Sequence, residues 1–183
     1  MKLSKPTARK PIHKRQIKCT GYSRDDGNWD IEGHLVDTKS YTFCNQWRGS
    51  ITPGIPLHEM SVRLTVDNDL VVIDIEVATK YSPYPECPSF PDNAHKLKGL
   101  KIAPGWNNAL RKKLGGTNGC THINELLGRI ANVAFQTIMP IINKNVVNTN
   151  ETKKPYILDT CHALSIRGNV VLREWPQFYT GDL

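Results

Sequence analysis

The stretch Gly119-Cys120-Thr121-His122-Ile123-Asn124-Glu125-Leu126-Leu127 sets a thiol and an imidazole two residues apart, where a glycine-rich turn opens an amphipathic helix. A cysteine there feels the positive end of the helix and its unpaired N–H groups, which favour thiolate over thiol. Two chemistries follow. The pair can ligate a metal, or Cys120 can be a nucleophile with His122 as its base. His122, in the first helical turn, is disfavoured as a cation. It is therefore a neutral ligand or a hydrogen-bond partner for a loop carbonyl.

Three further places compete for a metal: His58, Cys87 and the pair Cys161-His162. Zinc and iron–sulfur centres take thiolate and imidazole, usually four ligands from separated segments, and no C-x-x-C knuckle occurs in this chain. Cys87 falls in a rigid proline-rich turn, as a ligand or as a wedged apolar side chain. Adjacent side chains diverge, so Cys161 and His162 supply at most one ligand between them. Cys19 and Cys44 lack a companion histidine and read as structural. Asp30, Glu32, His34 and Asp37 crowd one predicted strand; Glu32 and His34 share a face and serve either as a general base or as a solvated surface. The chain has no G-x-S-x-G elbow, P-loop or dinucleotide-binding glycine motif.

These residues need elements to hold them. Cys19 to Tyr22 and Trp29 to Phe43 read as strands around Asp25-Asp26-Gly27-Asn28, with Glu32, His34 and Val36 alternating with Ile31, Gly33, Leu35 and Asp37. Met60, Val62, Leu64 and Val66 alternate with polar neighbours, and Asp67-Asn68-Asp69 turns the chain into a return strand with Ile73, Ile75 and Val77 inward. Pro83, Pro85, Pro88 and Pro91 close the sheet. Helices are predicted near Asp92–Leu97, over Pro104–Leu114 and over Thr121–Met139, the last limited by Pro140. Residues 143–154 read as a mobile polar loop, followed by extended segments at Tyr156–Leu158 and Asn169–Trp175. Strands followed by helices predict an α+β fold: a small antiparallel sheet under a helical layer, with extra N- and C-terminal strands.

At 183 residues the chain supports one domain with a proper core, here residues 19–183 behind a basic, disordered arm at 1–18. Seven of the 24 lysines and arginines lie in that arm, which has no acid; the remaining 17 balance the 17 acids, so the net charge of +7 is local. A basic tail on a neutral body argues against a nucleic-acid binder and for a protein partner. No run of about 18 apolar residues exists to cross a membrane. The first residues lack the apolar stretch of a secretory signal, and five cysteines do not suggest a disulfide framework, so a cytoplasmic location is expected.

Trp29-Asp30-Ile31-Glu32-Gly33-His34-Leu35-Val36-Asp37-Thr38-Lys39, His58-Glu59-Met60, Ser82-Pro83-Tyr84, Cys87-Pro88, the Gly119–Leu127 stretch and Asp159-Thr160-Cys161-His162-Ala163 together resemble a bacterial domain-of-unknown-function family. A more distant similarity is to the U-type iron–sulfur scaffold proteins: a hairpin, a cysteine after a short turn, then a second cysteine opening a long helix. That resemblance implies a zinc or iron site, or an iron–sulfur cluster, at one end of a small sheet. It sets His58 near the scaffold aspartate, Cys87 on the second cysteine and Cys120 on the third. The first cysteine position, near Pro56, is not cysteine here, which fits a fixed zinc or iron site. The expected ligands are His58, Cys87, Cys120 and His122, in a metal-binding accessory protein. The alternatives are an enzyme with a metal-activated water, with Glu59 or Glu32 as base, and an interaction module without metal.

Overall fold

A computed structural model describes residues 3–89, 91–147 and 154–181. The fold is α+β. Six strands come first: β1 (His13–Ser23), β2 (Trp29–Lys39), β3 (Phe43–Asn45), β4 (Gly49–Ile51), β5 (Pro56–Val66) and β6 (Val72–Tyr81). Strands β1-β2-β5-β6 form one antiparallel sheet in that order, and β3-β4 a separate small hairpin. Helices α1 (Pro91–Ala94), α2 (Trp106–Leu114), α3 (Thr121–Val147) and α4 (Asn169–Glu174) follow. Among the described residues no helix is long and apolar enough to cross a membrane.

The chain divides into two compact units, Met1–Ile142 and Asn143–Leu183. In the first unit the alternation of β5 buries Met60, Val62, Leu64 and Val66, and Ile31 and Leu35 of β2 join them. One face of α3 carries Ile123, Leu126, Leu127, Ile130, Ala131, Ala134 and Ile138 at helical spacing, all buried in the same core. Each of these isoleucine and leucine side chains contributes roughly 1.5–3 kcal/mol. Two glycines let the helix approach the strands closely: a Cβ on Gly33 would lie 2.8 Å from side-chain atoms of Leu126 and Ile130, and one on Gly21 would strike Thr137. Helix α2 adds Trp106, Leu110 and Leu114, with the Trp106 indole N–H donating to the Leu127 carbonyl at 3.3 Å.

Several expectations are corrected. The basic arm is shorter than predicted, because Lys14, Arg15 and Lys18 already belong to β1. An edge strand can carry these charges with little burial: Lys14 and Lys18 are exposed, and Arg15 is neutralised by carboxylates. Strand β2 stops at Lys39, and Phe43 opens the separate hairpin. Ile73 is 42% exposed rather than inward, because the register slips between Thr65 and Val66 and Ile73 becomes the extra residue of a bulge. Helix α3 runs through position 140 to Val147, so Pro140 does not limit it. A proline removes one N–H and one helix bond, a local loss that a long packed helix tolerates. Residues 143–147 of the predicted loop are thus helical, and 148–153 lie outside the described residues.

In the second unit, the segments expected to be extended are a turn at 156–159 and helix α4. The valines at 170 and 171 suggest a strand, but local bonds decide: Leu172 N–H donates to the Gly168 carbonyl at 3.1 Å. Asp159, at φ 63°, pins this unit by accepting from Lys154 Nζ (3.1 Å) and from the Ile166 amide (3.0 Å).

Candidate functional site

Strand parity explains which polar groups meet. Along β2, Asp37 follows Ile31, Gly33 and Leu35 on the face turned to α3, and along β5 His58 precedes Met60, Val62 and Leu64 on that same face. The pairing sets Asp37 opposite His58. His122 comes down from the first turn of α3. Asp37, His58 and His122 form the group of potential metal-ligating side chains found among the described residues, their ligand atoms all within 4.8 Å of one another.

Asp37 is 1% exposed yet ionised. Burial pushes its carboxyl up, and the hydrogen bonds from Arg15 and His13 outweigh that and hold it at about 2. Arg15 Nε donates to Oδ1 at 2.8 Å and Nη2 to Oδ2 at 2.6 Å; His13 Nε2 donates to Oδ1 at 3.1 Å and His58 Nδ1 to Oδ2 at 3.1 Å. A carboxylate accepts only, so these nitrogens carry the protons. Arg15 also pairs with Glu125 of α3, and its two carboxylate partners keep its guanidinium strongly protonated.

The two imidazoles of the group stack, with ring centroids 3.7 Å apart and planes at 32°. Burial first, and then the neighbouring His122, depress His58 to about 4 against the pull of Asp37. Burial and the nearby Arg15 charge also lower His122. Both rings are therefore neutral at pH 7 and have a lone pair to offer. His122 Nε2 lies 3.8 Å from Asp37 Oδ2, and its Nδ1 lies 3.8 Å from Cys120 Sγ.

The donor set suits a divalent transition metal. Bonds of about 2.1 Å make ligand-to-ligand edges of roughly 3.0–3.4 Å. The His58–Asp37 edge of 3.1 Å falls in that range, and the His122–Asp37 edge of 3.8 Å exceeds it by a few tenths. An ion at Asp37 Oδ2 would replace the His58 Nδ1 proton, while Arg15 and His13 still hold Oδ1.

Of the four expected ligands, His58 and His122 come together, and the third member is Asp37. Cys120 stands just before α3, its carbonyl accepting from the Asn124 amide at 2.9 Å, and its sulfur touches His122 without joining the three. Cys87 opens a single turn of 3-10 helix after β6, half-buried and outside the group. All five cysteines are free; Cys19 is half-buried beside the core, and Cys44 and Cys161 are exposed. Asp37 was legible as an acid in the buried-face alternation of β2. His13 and Arg15 gave no such signal, because their stretch reads as a basic arm. Glu32 and His34 do share the outer face, where Glu32 pairs with Arg63 and the His34 ring meets Ser61 Oγ at 2.9 Å.

The matched region of a known family begins at the first residue of β1 and ends within α3, so it contains the whole polar cluster and Cys120 beside it. No curated protein and no solved structure matches the chain significantly. The family model covers residues 13–136, well over half of the chain, and the protein belongs to the family described as "Protein of unknown function (DUF2889)".

Proposed function

We propose that the protein binds one zinc or iron(II) ion through Asp37, His58 and His122, and uses the open coordination positions to activate water or polarise a small-molecule substrate. The observation that supports this most is the convergence of one ionised carboxylate and two neutral imidazoles from β2, β5 and α3, their ligand atoms within 4.8 Å of one another. Three protein ligands leave room for water or substrate, the arrangement of catalytic sites, whereas structural sites close with four. A carboxylate with two imidazoles also suits a single ion better than an iron–sulfur cluster, which is held mainly by thiolates.

A metal-handling accessory role is the second reading, favoured by the sulfur of Cys120 at 3.8 Å from His122. The sulfur meets His122 Nδ1 while Nε2 faces Asp37, so side-chain rotation would be needed for Cys120 to become a fourth ligand and close the site. The resemblance to iron–sulfur scaffold proteins points the same way and would add Cys87.

Metal-free protein titrated with zinc or anaerobic iron(II), and followed by calorimetry and elemental analysis, is expected to bind one ion per chain. His58→Ala and His122→Ala each abolish that binding, and retention of metal by His122→Ala rules the site out. The cobalt(II) form separates the two readings. Azide changes its visible spectrum if positions are open, and a thiolate charge-transfer band that Cys120→Ser removes marks the closed, accessory site.

A further inference from the structure

The order β1-β2-β5-β6 leaves β1 on the outside of the sheet, and its 11 residues pair with β2 in one register without a bulge. The Ser40 amide donates to the Ile12 carbonyl at 3.2 Å, so even-numbered residues of this strand bond to β2. Hydrogen-bonded residues alternate in an antiparallel ladder, so the N–H and C=O groups of Arg15, Ile17, Cys19 and Gly21 point away from the sheet. Among the described residues no backbone bond reaches that edge.

The strand is also anchored along its length. Arg15 is tied to Asp37 and Glu125, Ile17 and Cys19 pack against the core, and Gly21 sits under Thr137. A partner strand would meet a preformed template and would not have to order it, which lowers the entropic cost of association.

Charge indicates the occupant. No acid occurs before Asp25, and Lys5, Arg9 and Lys10 lead into the strand in an exposed stretch. Lys14 and Lys18 are exposed and have no ion-pair partner among the described residues. Lysines on an edge discourage two copies of the same strand from pairing, since like charges face each other. They favour a strand that brings carboxylates. We propose that the β1 edge binds an extended, acidic segment of a partner protein, which adds to the sheet as a fifth strand.

The test uses the full chain and a short synthetic peptide in which Glu and Asp alternate with Val and Ile. Its control has the same sequence with alternate backbone nitrogens methylated, keeping the charge and blocking the ladder. The parent peptide is expected to slow hydrogen exchange at the amides of Arg15, Ile17, Cys19 and Gly21, and the control to leave them unchanged. Lys14→Glu with Lys18→Glu is expected to weaken binding roughly tenfold and to flatten its salt dependence. Equal binding of both peptides without protection of those amides overturns the proposal in favour of charge attraction alone. Absence of binding overturns it too. So does protection that grows with protein concentration alone, together with a doubled mass, because the occupant is then a second copy.

Discussion

Two histidines on neighbouring strands of one sheet meet opposite fates. His58 in β5 is 8% exposed, hydrogen-bonded to a buried carboxylate and stacked on another imidazole. His34 in β2 has a side chain 45% exposed and bonds Ser61, with Glu59 at 3.9 Å and already shared with Lys80. The sheet itself treats its faces alike; α3 covers only one. Under the helix each polar group must find a partner or lose free energy. On the open face, which lines a groove of about 510 Å³ including Lys18, Glu32, His34, Ser61 and Arg63, water stands in for missing partners.

The largest expected contrast comes from removing one carboxylate on each face. Asp37→Ala leaves the buried His58 donor without its partner and Arg15 with Glu125 alone, and should cost about 3 kcal/mol in urea unfolding. Glu32→Ala on the open face should cost less than about 1 kcal/mol, and equal losses for the two would erase the distinction between the faces.

Acid should act mainly through the covered face. Unfolded His58 takes up its proton near 6.5 and folded His58 only near 4, so the unfolded state binds more protons across that window and stability falls as the pH drops through it. The full loss is roughly 3 kcal/mol. The lowered His122 works in the same direction, and Asp37, held at about 2, adds a further loss as the pH falls from 3.8 toward 2. Thermal melts from pH 7 to pH 4 should show the slope, and His58→Gln should flatten it.

Close approach by the helix makes a smaller prediction. Gly33→Ala forces a methyl against Leu126 and Ile130 and should destabilise by about 1–3 kcal/mol; a neutral result would mean that α3 rides higher over the sheet than the 2.8 Å approach requires. The smallest effect is expected for Arg63→Ala, whose pairs with Glu32 and Glu76 face water: under about 1 kcal/mol, vanishing in high salt.

Much of this fold is legible in the pattern of residues. The β5–β6 hairpin follows from strict alternation around Asp67, whose carboxylate accepts the Asp69 and Val71 amides at the turn. The long helix follows from its apolar stripe. Errors collect where periodicity is short or ambiguous: the six residues of α4, the bulge at Ile73, and the basic residues before Cys19. The candidate site was half legible. His58 and His122 stand out by type, and Asp37 was visible as an acid in line with Ile31, Gly33 and Leu35 but was grouped with the acids of the opposite face.

Local chemistry alone determined that the chain forms an antiparallel hairpin and an amphipathic helix opened next to Cys120, since alternation, turn residues and helical spacing act over a few positions. Tertiary structure decided which polar groups share a site. His13, Arg15, Asp37, His58 and His122 lie far apart in sequence, and they meet because strand register and the glycine-permitted seating of α3 put them at one end of the sheet. Cys87, equally eligible by composition, remains outside the group for the same reason: ligand chemistry names the candidates, and only packing sets the distances between them.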